Sequence, residues 1–529
     1  MLIFHGYLLR GTGSNVYVAS VSRALAALGH DVHLLCQDRG AARFDWVDRL
    51  GEWGDGGLTV RDVPGPSASR PGTVTAYLPD IGGLLPVYVE DDYEGFSVKA
   101  FPRLSSDELE LYISANVAAV RDVVEAHQGV DAALANHLVM GPVICARAGL
   151  EFAAKIHGSA LSYTVRPNRQ RFLPFAREGL AAARGVLVGS EHTAQRLWET
   201  LDDRQLPLRT RLGPPGVDVK AFSPLPREQA RSRLSDLAAS VRSAGGTGFG
   251  RDAQSAADAV EWLADGGGPR VSFVGKLIVS KGVDLLLAAW PLVVAAAPQA
   301  RLLVVGFGAY REGLERLLDA LAEGDLAGAR AIARGGRQLE GGPPGTLRML
   351  DAFLSGAGPA YAEAARLAAG TVRLSGRLEH EEVARLLPAT EATVVPSTFP
   401  EAFGMVAAEA AAAGALPICA DHSGLHEVSS ALAQAVPDAQ RDLLSFSLDD
   451  RAVESIAARL TAWLELDPVQ RKDIGAQLAR RASQRWSWAG VAAGVLAAAT
   501  GELDALPEAA GSTRANCHEG RAQIGHRDQ

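Results

Sequence analysis

A βα alternation that runs, breaks and starts again constrains this chain more than any other feature. The apolar run Leu2–Leu8 predicts a strand, and Val16, Val18, Val21, Leu25 and Leu28 mark one face of a helix over 14–28. Gly29-His30 closes that helix, and 31–36 returns as a strand. Further strands are predicted at 132–135, 152–156 and 186–188. The segment Leu212-Gly213-Pro214-Pro215-Gly216-Val217-Asp218 then breaks the pattern and reads as an interdomain linker. Beyond it, strands are predicted at 271–274, 301–305, 372–374, 392–395 and 415–419, with a helix over 283–294. Strands joined by helical crossovers pair in parallel, with helices on both faces. The expectation is an α/β protein of two doubly wound, Rossmann-like domains facing across a cleft at the C-terminal ends of both sheets.

The predicted boundaries are 1–211 for the first domain and 212–485 for the second. A helix over 486–503 follows them. Two segments interrupt the second domain, one rich in Gly, Ala and Ser near 240–268 and one carrying Gly335-Gly336 and Gly341-Gly342-Pro343-Pro344-Gly345 near 325–370. Both read as insertions, partly helical or mobile. The tail 507–529 has few large apolar residues and reads as disordered.

At 529 residues each domain has enough chain to bury a core. A net charge of −9 without a dense basic run argues against nucleic acid as a partner. Cys36, Cys145, Cys419 and Cys517 lack metal-ligand spacing and read as reduced thiols, which favours a cytoplasmic setting. No apolar stretch is long enough to span a bilayer, and no basic leader precedes Leu2. The histidines are dispersed, so no metal centre is expected. The acidic run Glu90-Asp91-Asp92-Tyr93-Glu94 is read as solvated carboxylates.

The most informative stretch is Pro400-Glu401-Ala402-Phe403-Gly404-Met405-Val406-Ala407-Ala408-Glu409, followed by alanines to Ala413 and then Gly414. The strand at 392–395 precedes it and a helix follows. Glu401 is expected in the loop at the strand's end, and Glu409 about two turns into the helix. The free N–H groups of a helix N-terminus lie between them and suit a phosphate. One carboxylate outside an anion seat and one inside the helix fit a ligand with sugars flanking a diphosphate.

Lysine is scarce, with six in the chain, yet Lys276 and Lys281 share the loop Gly275–Gly282 between a strand and a helix. Two ammonium groups at a helix N-terminus oppose the helix dipole. They suit a diphosphate and the charge of a departing nucleotide. In the first domain, Arg10-Gly11-Thr12-Gly13-Ser14-Asn15 follows the first strand, where glycines let backbone N–H groups approach a ligand. His157-Gly158-Ser159 follows the strand at 152–156, and Asn136-His137 the strand at 132–135.

The spacing of Glu401 and Glu409 resembles the E-x7-E motif of the retaining glycosyltransferases of family 4, which have the GT-B fold. The lysine loop is similar to that family's pattern, with Lys276 where arginine is usual. The resemblance covers most of residues 1–503 outside the two insertions. It implies a UDP-, GDP- or ADP-sugar donor and no cofactor or metal. Glu401, His157, Lys281 and Lys276 would be the catalytic group. Gly11, Gly13, Gly275, Arg377, Leu378, the backbone N–H groups of Phe403, Gly404 and Met405, and Glu409 would bind the donor. Asn15 and His137 would face the acceptor, whose identity is open. The resemblance also implies that the helix over 486–503 crosses back onto the first domain. Because relatives glycosylate lipids, peripheral contact with the inner membrane face is open too. A nucleotide-sugar epimerase or hydrolase of the same fold, or a non-catalytic sugar-nucleotide-binding homologue, remain as alternatives.

Overall fold

The computed structural model describes residues 1–64, 70–88, 95–245 and 251–509. The run Glu90–Glu94, Cys517 and the tail beyond residue 509 lie outside the described residues.

The first domain carries β1 (Leu2–Phe4), β2 (Val32–Leu35), β3 (Arg49–Gly54), β4 (Gly57–Asp62), β5 (Val74–Leu78), β6 (Leu84–Val87), β7 (Ser97–Ala100), β8 (Ala133–Asn136), β9 (Phe152–Ile156), β10 (Ala183–Val188) and β11 (Thr210–Leu212). Nine of them form one sheet in the order β11-β10-β9-β8-β1-β2-β5-β3-β4, and β6 pairs with β7. The large sheet is parallel except for the β3–β4 hairpin at its edge. The central strands β1, β2, β8 and β9 are buried along their whole length, as strands of a helix-covered parallel sheet should be.

The second domain carries β12 (Arg270–Val274), β13 (Arg301–Val305), β14 (Val372–Gly376), β15 (Ala392–Val395), β16 (Leu416–Ala420) and β17 (Ser445–Phe446). Their order is β14-β13-β12-β15-β16-β17, with parallel pairing throughout. β12 and β15 are adjacent, so the loops following them, which carry Lys281 and Glu401, emerge side by side.

Several expectations need correction. The first strand ends at Phe4 rather than Leu8, because Gly6 turns the chain with a φ of 72°. The segment 240–268, expected to be partly helical or mobile, is helical in part: it holds the end of the helix Arg227–Ala244 and all of the helix Ala253–Asp265, whose Ala256, Val260 and Leu263 are buried in the second domain's core. The segment 325–370 likewise holds helices Leu326–Gly335, Arg348–Gly356 and Pro359–Leu367. Residues 507–509 of the tail pack on the first domain: the Leu212 N–H donates to the Pro507 carbonyl at 2.9 Å, Arg211 and Glu508 form an antiparallel backbone bridge, and Ala509 is buried. An edge strand's free N–H row attracts such a segment.

The helix predicted over 486–503 is broken. One helix ends at Trp486, Ser487 is extended and caps the next, and the second runs Trp488–Thr500. Ala492, Val495 and Ala498 of that second helix are buried with Val18, Val21 and Leu187 of the first domain. The chain therefore crosses between domains at 213–217 and again at 486–488. The two crossings touch: the Val217 N–H donates to the Trp486 carbonyl at 2.6 Å. Buried Lys155 donates to the Gly213 carbonyl, and burial draws its ammonium down to about 7. The linker is thus pinned on both sides.

Candidate active site

Two glycines bring the second domain's site together. Gly282 (φ 65°) caps the helix Val283–Ala296 and lies against the Pro396 carbonyl, where a Cβ would collide. The Thr398 N–H donates to the Ser280 carbonyl at 2.9 Å across the same seam. This seam sets Lys281 Nζ on Glu401 Oε1 as an ion pair. The Ser397 hydroxyl donates to the same oxygen at 2.6 Å, and the Glu401 N–H donates to Ser423 Oγ at 2.9 Å. Burial pushes the Glu401 carboxyl up, but the Lys281 charge and the hydrogen bonds from Lys281 and Ser397 outweigh it and hold the group below its ordinary value.

Gly404 (φ 107°) turns the chain into the helix Met405–Ala412. Among the described residues, the backbone N–H groups of Phe403, Gly404, Met405 and Val406 have no partner within the chain. The Phe403 ring packs on Trp486, so that residue offers its amide alone. Glu409 is the helix's fifth residue, little more than one turn in rather than two. It is 3% exposed, and its Oε1 lies 2.8 Å from His380 Nε2. Burial draws His380 down, yet the Glu409 hydrogen bond and charge leave its value raised.

Lys276 lies 5.8 Å from the Phe307 ring centre, and the Arg377 guanidinium lies 5.6 Å from the same ring. Arg377 pairs with Glu379 at 3.1 Å. The Gly275 N–H is committed to the Val305 carbonyl at 3.0 Å, and Leu378 is buried in the core, so both are scaffold.

The first domain closes over these groups. Gly11 faces the Arg377 guanidinium, Gly13 faces Met405 Sδ, and Gly158 faces Ala402. Glu427 accepts the N–H groups of Glu191 and His192, at 2.8 and 3.1 Å, at the start of the first-domain helix Glu191–Leu201. No local pattern marks Glu427, whose partners lie more than 230 positions away. The signal that was available is the Ser190-Glu191-His192-Thr193 helix start, which leaves N–H groups for an anion.

His157 Nε2 lies 2.8 Å from Asn136 Oδ1. Burial, reinforced by His137, Lys155 and His5, keeps His157 well below its ordinary value, so the ring is neutral. His137 is buried in the left-handed region (φ 66°), with neither ring nitrogen hydrogen-bonded, beside His5, Tyr7 and Tyr88. Asn15, expected to face an acceptor, is turned inward: its oxygen lies 3.1 Å from His5 Nε2, and its amide donates to the Arg10 carbonyl at 2.7 Å.

A cavity of about 220 Å³ lies between His157, Gly158 and Tyr163 of one domain and Phe399, Glu401 and Ala402 of the other. A larger hollow of about 770 Å³ lies at the outer edge of the second domain, against Val372 and Trp262. No candidate site residue lines it, and Asp258 and Trp262 there are already occupied by Arg242 and Arg301. The smaller cavity, at the strand ends, is the one that matches the chemistry. Among the described residues, no group of three or more His, Cys, Asp or Glu is placed to hold a metal, and no helix is long and apolar enough to cross a membrane.

Comparison with known proteins fits this geometry. The model of the glycosyl transferase 4-like domain matches residues 12–202, and that of glycosyl transferases group 1 matches residues 360–479. A GDP-mannose-dependent monoacylated alpha-(1-6)-phosphatidylinositol monomannoside mannosyltransferase of Corynebacterium glutamicum is 24% identical over 281 residues, 52% of this chain and 52% of that protein. A glycogen synthase of Halorhodospira halophila is 51% identical over 61 residues, 12% of each. The chain thus spans about half the length of the first relative and far less of the second. Sucrose-phosphate synthase from Thermosynechococcus elongatus superposes with a TM-score of 0.52 at 18% identity, covering 93% of this chain and 96% of that one. Anabaena Alr3699/HepE in complex with UDP and glucose does so with a TM-score of 0.52 at 15% identity, covering 93% and 97%. The chain belongs to the glycosyltransferases of group 1 type, and its two facing Rossmann-like domains are the GT-B fold.

Proposed function

We propose that this protein is a nucleotide-sugar-dependent glycosyltransferase that retains the anomeric configuration of the transferred sugar. The observation that carries the reading is the Lys281–Glu401 pair beside the unpartnered N–H groups of Phe403–Val406, facing His157 across a cavity between the domains. The N–H groups and Lys276 would seat the diphosphate. Lys281 has further ammonium donors beyond the one on Glu401, and would neutralise charge as the nucleotide leaves. Glu401, ionised and fixed by Ser397 and Lys281, would accept hydroxyls of the donor sugar. Glu409, held by His380, would accept the ribose hydroxyls.

His157 is neutral and bonded to Asn136, so it orients a sugar hydroxyl rather than carrying charge. Among the described residues, no carboxylate other than Glu401 lines the cavity. Glu401 is committed to Lys281 and Ser397, which suits front-face attack with the leaving phosphate taking the acceptor proton. We further propose that the reaction needs no metal and that the protein works in the cytoplasm, with peripheral membrane contact where the acceptor is a lipid. The test is a thermal-shift screen of UDP, GDP and ADP, followed by donor turnover with and without candidate acceptors. Transfer with a retained anomeric NMR signal supports the reading. Turnover that needs no acceptor favours an epimerase or hydrolase, and binding without turnover favours a sugar-nucleotide-binding protein.

A further inference from the structure

The cavity between the domains carries positive charge that the proposed reaction does not use. Arg196 and His192 line it from the helix Glu191–Leu201, and Ser159 and Ser162 line it from the segment after His157. Arg166 ends the turn Ala160–Val165, whose Leu161 and Tyr163 form part of the same wall. Its Nη1 atom is buried without a hydrogen-bond partner. Among the described residues, neither Arg166 nor Arg196 has an ion-pair or hydrogen-bond partner for its guanidinium.

Three acidic groups nearby are already matched. Glu401 is held by Lys281 and Ser397. Glu427 is held by the N–H groups of Glu191 and His192. Glu340 is held by Arg337 and the Val279 N–H, both at the donor side of the cleft. Burial lowers His192, and the charges of Arg196, His422 and Arg166 lower it further, with exposed Glu199 acting in the opposite sense. Burial and Glu401 raise the Tyr163 phenol, while Arg337 draws it down, so a third guanidinium bears on the same wall. A guanidinium with a buried, unpartnered N–H carries a desolvation cost that an anion would relieve.

Building on the proposed glycosyl transfer, we infer that Arg166 and Arg196 bind an anionic substituent, a carboxylate or phosphate, on the substrate sugar that lies between His157 and Glu401. The planar guanidinium suits either group through paired N–H donors, and Ser159 and Ser162 add neutral donors. Since the cavity adjoins Glu401, an acidic donor sugar is the first source. A phosphorylated acceptor sugar is the second, and it presents the same chemistry.

The test is isothermal titration of the full-length protein and of Arg166→Gln, Arg196→Gln and the double variant. Free UDP, GDP and ADP are titrated first, and the tightest is used as its hexose and hexuronate conjugates. In a second arm, glucose 6-phosphate and glucose are titrated into nucleotide-loaded protein. The expected result is a preference of at least about tenfold for the anionic member of one pair, the least that a charge-assisted hydrogen bond contributes. That preference should be lost in the double variant while free-nucleotide affinity, read in the same samples, is unchanged. A preference in the donor pair assigns the anion to the transferred sugar, and one in the acceptor pair assigns it to the acceptor. Equal binding within both pairs, or a preference that survives the double variant, overturns the inference. Absence of nucleotide binding by the unmodified protein would instead overturn the glycosyltransferase reading on which it rests.

Discussion

Lys281→Ala tests the Lys281–Glu401 pair at both levels at which it acts. The side chains are 30% and 23% exposed, so the pair is only partly screened by solvent. Removing one partner of a fully buried pair costs ~3–5 kcal/mol, and at this exposure about 2 kcal/mol of stability is expected. Turnover should fall more, by about 3 kcal/mol or ~10²-fold, if the ammonium stabilises a leaving phosphate as an oxyanion donor would.

The pH dependence has a definite sign. In the unmodified protein Glu401 lies below its ordinary value. Its stabilisation is therefore present above that ordinary value and is lost as pH falls through the lower, folded one. Without Lys281 burial dominates and the value rises, so ionised Glu401 costs stability at neutral pH and the cost is relieved by acid. The stability gap between the two proteins should be widest near neutrality and should narrow in acid. Urea unfolding of Lys281→Ala, Glu401→Gln and the double variant gives the coupling directly, with ~2 kcal/mol expected. Effects that add within about 0.5 kcal/mol, or near-normal kcat in Lys281→Ala, would refute the reasoning.

Glu427→Gln should loosen closure by removing the anion from the helix start at Glu191, a loss of about 1–2 kcal/mol. The donor KM should rise about tenfold, and small-angle scattering should give a larger radius of gyration for the free protein. Burial draws His5 and His33 down to about 4 and leaves His137 and His157 well below their ordinary values. The unfolded chain therefore takes up protons below about pH 6.5 that the fold does not, and stability should fall by up to about 1.4 kcal/mol per pH unit per histidine. Denaturant curves at pH 7.5 and 5.5 check this, and equal stability at both would contradict it. Activity should persist in EDTA. Loss that Mg²⁺ or Mn²⁺ restores would transfer the proposed role of Lys276 and Lys281 to a metal.

The parts of the fold that local pattern encodes were legible. The strands predicted at 152–156, 301–305 and 392–395 match β9, β13 and β15 end to end. They are largely apolar runs, with Lys155, Arg301 and Thr393 the exceptions, followed closely by a glycine or a polar loop, and burial on both faces leaves little other reading. The β3–β4 hairpin was not legible, because β4 is exposed along nearly its whole length and its alternation is confined to Leu58 and Val60. Candidate residues at strand ends could be named from the sequence, but their surroundings could not. The neutrality of His157 depends on Asn136, His137 and Lys155. The inward turn of Asn15 depends on His5. The match of Glu427 to Glu191 joins residues that only the closed pair of domains brings together. These are long-range contacts, and no periodicity records them.

The central claim is that a nucleotide diphosphate sits at the start of the helix Met405–Ala412, with Glu409 on its ribose. Isothermal titration of free UDP, GDP and ADP into the unmodified protein, Glu409→Gln and Glu401→Gln tests it most directly. Ribose contacts persist through the reaction as uniform binding, whereas Glu401 bears on the reacting sugar. One nucleotide should bind, with its affinity clearly weakened in Glu409→Gln and nearly unchanged in Glu401→Gln, whose deficit should appear in kcat. Equal loss of nucleotide affinity in both variants, or no binding of any of the three nucleotides, would contradict the account.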